Sequence, residues 1–131
     1  MKLSVGLGCD RGALLETLNS ALDAALTSIN ATRAHIAVFA TIDKKNDEVA
    51  FLDLTRSENK MLLFFTAEQL AQVRVPNPSN TVLKFMGTPA VAEAAALLAA
   101  DTTLQDLLVE KHKLRGTDGK NVTISIVRIP L

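Results

Sequence analysis

The chain has little of what marks several common functions. Its 131 residues include no tryptophan and no tyrosine, and only five phenylalanines, so there is no aromatic platform on which bases could stack. There is no excess of positive charge either. Fourteen Lys and Arg balance fourteen Asp and Glu, which leaves no electrostatic footprint for a nucleic-acid backbone. The single cysteine, Cys9, excludes an intrachain disulfide and suits a reducing compartment. Two distant histidines, His35 and His112, make no recognisable metal-ligand set with it. No apolar run is long enough to cross a bilayer, and the apolar start breaks at Cys9-Asp10-Arg11 instead of continuing into a signal-peptide core. The expectation is a soluble, cytoplasmic chain forming one domain over residues 1–131. It should carry no metal and no cofactor, and should have no nucleic-acid or membrane partner.

What is present begins with Leu3-Ser-Val-Gly-Leu-Gly-Cys-Asp-Arg-Gly-Ala13. An apolar run enters a glycine-bounded turn and leaves directly into a helix-patterned stretch. A helix starting there aims its free N–H groups and positive dipole end at whatever sits above the turn. Arg11 adds a side-chain cation, so the segment reads as an anion-binding loop. Its spacing, G-x-G-x-x-x-G, is neither the dinucleotide fingerprint nor a P-loop. A plain strand-to-helix turn has the same spacing.

Residues 3 to 8 read as a short strand, buried on both faces if central. Leu14, Leu18, Ala21, Leu22, Ala25 and Ile29 recur at helical spacing and predict a helix over 13–29. Ile36 to Ile42 is apolar and β-branched, a second buried strand. The polar stretch Asp43 to Glu48 offers Asn46 or Asp47 as N-cap of a second helix running to Leu54. Arg56 to Lys60 reads as a loop, and Met61 to Phe65 as a third strand. Thr66-Ala-Glu-Gln69 is a capping box opening a short helix. Val75-Pro-Asn-Pro-Ser79 cannot be regular structure. Ser79 or Asn80 can cap a short helix carrying Val82, Phe85 and Met86, ended by Gly87. Thr88-Pro89 opens an alanine-rich helix over 90–100. Strands over 107–113 and 121–129, joined across Asp118-Gly119, predict an antiparallel terminal hairpin.

Strands alternating with helices predict an α/β fold: a mostly parallel sheet flanked by helices as a three-layer sandwich, with that C-terminal antiparallel hairpin. Ligands of such sheets sit beyond the carboxyl ends of the strands. Here those ends carry the 8–12 loop, the 43–48 turn and the Thr66 cap. The 77–79 and 87–89 segments also begin helices. If these N-termini converge, with Arg11, Lys44 and Lys45 among them, the crevice favours an anion bearing several carboxylates or phosphates.

Gly6-Leu-Gly-Cys-Asp-Arg-Gly12, Ala40-Thr-Ile-Asp-Lys-Lys-Asn-Asp-Glu48, Val75-Pro-Asn-Pro-Ser79 and Gly87-Thr-Pro-Ala-Val-Ala-Glu-Ala-Ala-Ala-Leu97 stand in an order that resembles one family. It is the CobE family of cobalamin biosynthesis, equivalent to the C-terminal domain of CbiG, and the resemblance runs from Val5 to Arg128. It implies a role in building the corrin ring. CbiG proteins of the anaerobic pathway are cobalt-precorrin hydrolases that open a ring lactone and release acetaldehyde, and they carry further N-terminal and central regions. The implied ligand is an anionic tetrapyrrole, a corrinoid or precorrin intermediate with acetate and propionate arms. Two alternatives stand beside ligand binding: a hydrolase acting on a lactone of the precorrin ring, and a non-catalytic structural partner of another corrin-pathway enzyme. Similar proteins carry a second basic residue where Asp10 stands, and small hydroxyl residues where Ala13 and Leu14 stand. The segment from Thr103 to Lys120 is longer than the family leads one to expect, which lengthens the hairpin.

The candidate ligand-binding residues are Gly8, Cys9, Arg11, Gly12, Thr41, Asp43, Lys45, Asn77, Ser79 and Thr88. Were there chemistry, Cys9, Asp43 and Glu48 are the candidates: Cys9 as a thiol whose pKa a helix start lowers, the carboxylates as acid or base. Each has a structural alternative. Cys9 also reads as a small buried residue, Arg11 as one half of a surface ion pair, and Asp43 as a helix cap. Asn77 and Ser79 also suit an ordinary turn. Glu93, in the family's last motif, reads as a buried anchor reaching a backbone N–H. His35 and His112 are expected at the surface.

Overall fold

Alternation along the first strand sets the layers of the fold. In the computed structural model, which describes residues 1–80, 83 and 90–130, β1 (Leu3–Cys9) sends Leu3, Val5 and Leu7 to one face. Ser4, Gly6 and Gly8 go to the other. On the first face lie α1 (Leu15–Ser28) and α2 (Val49–Glu58), whose Leu18, Leu22, Phe51 and Leu54 share one core with those β1 residues. On the second lie the short α3 (Ala67–Ala71) and α4 (Val91–Ala100). There Leu70, Ala94 and Ala95 meet Ala40 and Ile42 of β2 (Ile36–Ile42).

The five-stranded sheet has the order β3-β2-β1-β5-β4, where β3 is Met61–Phe65, β4 Leu107–Arg115 and β5 Asn121–Arg128. β1, β2 and β3 are mutually parallel, and β5 pairs antiparallel with both β1 and β4. The sheet is therefore mixed: a parallel half joined at β1 to the predicted hairpin. Central placement explains why β1 is buried on both faces. As an edge strand, β3 leaves Met61 and Phe64 exposed.

Several boundaries differ from the sequence reading, each for a local reason. Helix α1 starts at Leu15, and Leu14, counted in its apolar stripe, is the exposed N-cap. Asp43–Lys45 form a 3₁₀ turn, so the N-cap of α2 falls on Glu48 and not on Asn46 or Asp47. The same helix runs on through Arg56 to Glu58 and stops where Asn59 enters the left-handed region. The Thr66–Gln69 capping box forms as expected, each side chain accepting the other's backbone N–H. The expected helix of Val82, Phe85 and Met86 and the Thr88 cap lie outside the described residues. His35 and His112 are half-buried, and His35 Nδ1 accepts the Thr32 N–H at 3.0 Å.

Helix α4 lies on the sheet almost backbone to backbone. A Cβ built on Gly6 would stand 1.8 Å from the Ala92 carbonyl oxygen. One turn further along, the Ser4 hydroxyl donates to the Ala96 carbonyl at 2.8 Å. As α4 advances its contacts move back along β1, so its N-terminal end stands over the carboxyl end of that strand. Gly6→Ala therefore has no room, since its obstacle is main chain. We expect it to destabilise the protein by about 3 kcal/mol or more, read as a lower urea midpoint. Gly8→Ala, whose Cβ would meet only ordinary contacts at 3.7 and 3.9 Å, should change the midpoint little.

Candidate functional site

Parallel pairing of β1 with β2 brings the loops after both strands to the same edge, and they are locked together there. Gly12 takes φ of +77°, a conformation open to glycine. That turns its N–H onto Glu48 Oε1, at 2.7 Å. Glu48 Oε2 lies 3.1 Å from the Arg11 guanidinium and 3.5 Å from the Lys45 ammonium. Arg11 also donates to Asp47 at 2.7 Å and to the Lys44 carbonyl at 3.0 Å. The hydrogen bond from Arg11 holds the Asp47 carboxyl below its ordinary range. The loop thus does bind a carboxylate, and that carboxylate is the chain's own. Glu48 and Lys45 are buried, while Arg11 keeps 57 % of its side chain exposed.

The other loop candidates divide. The hydroxyl of the fully buried Thr41 donates to the Leu7 carbonyl at 2.7 Å, a tie between neighbouring strands. Asp43 is half-buried at the start of its 3₁₀ turn and makes no side-chain cap there. Cys9 packs against the α1 core. Burial is the main cause that pushes its thiol up to about 12, reversing the expected drop. Asp10 has a structural role: its carboxylate accepts the Asn121 backbone N–H at 2.8 Å, fastening this loop to β5.

Gly8 belongs to the opposite face, in a second cluster beneath the N-terminus of α4. A Cβ on Gly8 would approach Ala92 and Thr123. The next residue, Glu93, is 1 % exposed, and its carboxylate lies 3.3 Å from the Lys111 ammonium of β4. Asn77 crosses over this pair: its carbonyl accepts from Lys111 at 2.5 Å, and its amide donates to Glu110 at 2.8 Å. Ser79 is half-buried two residues on. Glu93 does not reach a backbone N–H as expected. Among the described residues neither of its oxygens has a well-formed hydrogen bond, the Lys111 ammonium at 3.3 Å being its ion-pair partner. Desolvation is the largest cause raising the Glu93 carboxyl above its ordinary value, with Lys111 opposing.

Lys111 is the residue that sequence reasoning missed. It sits in a strand of mixed polarity with bulged pairing, where alternation gives no sign of which side chains face inward. A groove of about 460 Å³ lies at the other end of α4, lined by Val73, Arg74, Leu97 and Leu104 among others, away from every candidate. Among the described residues, no cluster of His, Cys, Asp and Glu could hold a metal ion. Likewise no helix is long and apolar enough to cross a membrane.

Two predictions test this geometry. Glu48→Gln leaves the Lys45 ammonium buried without its counter-ion, so stability should fall by about 3 kcal/mol in urea unfolding. Adding Lys45→Met, which removes the stranded charge, should recover most of the loss. Cys9 stays protonated in the folded chain where the unfolded thiol ionises near 9.0. Its contribution to stability is thus full below that pH and is lost as pH rises from 9.0 toward about 12. Cys9→Ala should flatten the alkaline decline of stability, and a thiol reagent should react with the folded wild type far more slowly than with the unfolded chain.

Comparison with known proteins agrees with this architecture. The family described as cobalamin synthesis G C-terminus matches residues 3–127. Among curated relatives, a cobalt-precorrin-5A hydrolase of Priestia megaterium is 27 % identical over 128 residues, 98 % of this chain but 32 % of that protein. Protein CobE of a Sinorhizobium species is 30 % identical over 100 residues, 75 % of this chain and 65 % of that one. The chain therefore spans about a third of the hydrolase and just under two thirds of the CobE relative. A crystal structure of CobE from the cobalamin pathway superposes with a TM-score of 0.79 at 28 % identity, covering 99 % of this chain and 93 % of that one. The cobalamin biosynthesis protein chiG of Agrobacterium tumefaciens, at 24 % identity and a TM-score of 0.61 over 94 % of this chain and 96 % of its own, shares the fold. With the family match running through every strand of the sheet, this chain belongs to the CobE and CbiG C-terminal family of cobalamin biosynthesis.

Proposed function

We propose that the chain binds an anionic corrinoid or precorrin intermediate over the carboxyl edge of β1 and β2. The observation that carries this reading is the convergence at that edge. The loop bearing Arg11, the turn bearing Asp43 and Lys45, and the N-terminal end of α4 above Gly8 all gather there. Arg11 is a cation of this edge that a carboxylate arm can reach without opening the core, whereas Lys45 is buried against Glu48. In this reading Gly8, Cys9, Gly12 and Thr41 shape the floor, and Asn77 and Ser79 belong to the side nearer α4; Thr88, a further candidate, lies outside the described residues. Asp43 borders the rim.

For two of the three candidates for chemistry, Glu48 and Cys9, binding without turnover suits the geometry better than hydrolysis does. A base must be free to take a proton, and Glu48 already accepts from Gly12 and faces two cations. A nucleophilic thiol must ionise, and Cys9 is held protonated.

A visible-absorbance titration with cobyrinic acid, whose side arms end in carboxylates, tests the reading against the fully esterified compound. We expect a saturable spectral shift with the acid, a much weaker one with the ester, and roughly tenfold weaker binding to Arg11→Ala, the loss of one charge-assisted hydrogen bond. Equal response to acid and ester, or none to either, would overturn the proposal and direct the search to a protein partner in the same pathway.

A further inference from the structure

The cluster beneath α4 has a chemistry of its own. Glu93 carries a carboxylate buried to 1 % exposure, and among the described residues neither oxygen has a well-formed hydrogen bond beyond its ion pair with Lys111. Leaving a charged acceptor in that state is costly unless something else completes it. Around it stand donors that suit a carboxyl group. Helix α4 is ten residues long, and its N-cap, Ala90, supplies no side-chain acceptor for the helix's first N–H groups. The Lys111 ammonium stands 3.3 Å from Glu93.

We propose that this cluster is a subsite for one carboxylic-acid arm of an acidic ligand, taken up together with a proton shared between the arm and Glu93. The inference rests on the anionic-ligand reading above and adds where one arm goes and in what protonation state. Two carboxyl groups forced into one buried space cannot both ionise, so the pair keeps one proton. The arm's free oxygen then accepts from Lys111 or the helix N–H groups, and the shared proton supplies the hydrogen bond that Glu93 lacks. Desolvation already favours the protonated form of Glu93. Among the described residues, the charged groups acting on it are Lys111 and Lys113, which hold it ionised, and Glu110, which opposes them. All three are on β4. Helix α4 has no other charged side chain, and β1 has none.

Calorimetric titration with cobyrinic acid, run in buffers of different ionisation enthalpy, counts the protons taken up. Wild type should take up a substantial fraction of one proton at neutral pH, and its affinity should fall up to about tenfold per pH unit on the alkaline side. Glu93→Gln keeps the shape of the side chain but cannot share a titrating proton. It should bind without that uptake and with a flat pH profile over the same range. Infrared difference spectra of wild type carrying isotope-labelled glutamate carboxyls give a readout independent of any variant: a labelled protonated-carboxyl band should grow on binding. Equal proton uptake in wild type and Glu93→Gln, or no such band, would overturn this inference while leaving the anionic-ligand reading intact. Absence of binding by wild type would overturn both.

Discussion

The missing side chain at Gly6 is the constraint on which the arrangement of this protein depends. The Ala92 carbonyl occupies the volume of a Cβ, so α4 rests on the main chain of the central strand. That close seat lets Ser4 reach the Ala96 carbonyl. It also carries Glu93 down to the level of Lys111. A larger residue at position 6 would lift the N-terminal turn of α4 away from the sheet and open the space in which Glu93 is buried. Packing and the second cluster are therefore one problem, governed by one backbone contact.

The loop after β1 teaches a different lesson about electrostatics. Glycine turns, a helix start and Arg11 together describe a place that attracts a carboxylate, and a carboxylate is what stands there. Its source is Glu48, from the neighbouring loop. A helix N-terminus responds to negative charge within its first turn, whichever chain or molecule supplies it. Separating an internal occupant from a foreign one needs the strand order, because only parallel pairing of β1 with β2 brings residue 48 to residue 12. The exposed part of Arg11 is what this loop still offers to solvent.

The elements were legible where pattern and packing agree. The apolar spacing of Leu18, Ala21, Leu22 and Ala25 marks the buried face of α1, and all four are fully buried. The box from Thr66 to Gln69 is local chemistry that no tertiary contact overrides. Other features depend on partners far along the chain. Nothing near residues 107–128 says that the hairpin lies beside β1 rather than beside β3. The start of α2 was misplaced because a 3₁₀ turn and an N-cap can compete for the same polar residues. Burial of Glu93 was legible from its apolar helix, but its pairing with Lys111 was not. Nor was the coverage of that pair by Asn77, since both arise only when α4, β4 and the proline-rich segment meet.

A chain with equal numbers of acidic and basic residues has no general field with which to hold a polyanion, so the work falls to local arrangements. The two clusters solve the burial of a carboxylate in opposite ways. Glu48 is answered by a backbone N–H and two cations, and nothing further is required of its surroundings. Among the described residues Glu93 is answered by one ammonium, at 3.3 Å, without a well-formed hydrogen bond. The first arrangement is complete and makes a rigid edge; the second is incomplete, and a proton-bearing group would finish it. An unmet hydrogen bond on a buried charge is a standing free-energy deficit, and a ligand that removes it gains that free energy on binding. By that reasoning the proposed recognition of an acidic ligand would draw on the α4 cluster as well as on the glycine loop that dominates the sequence.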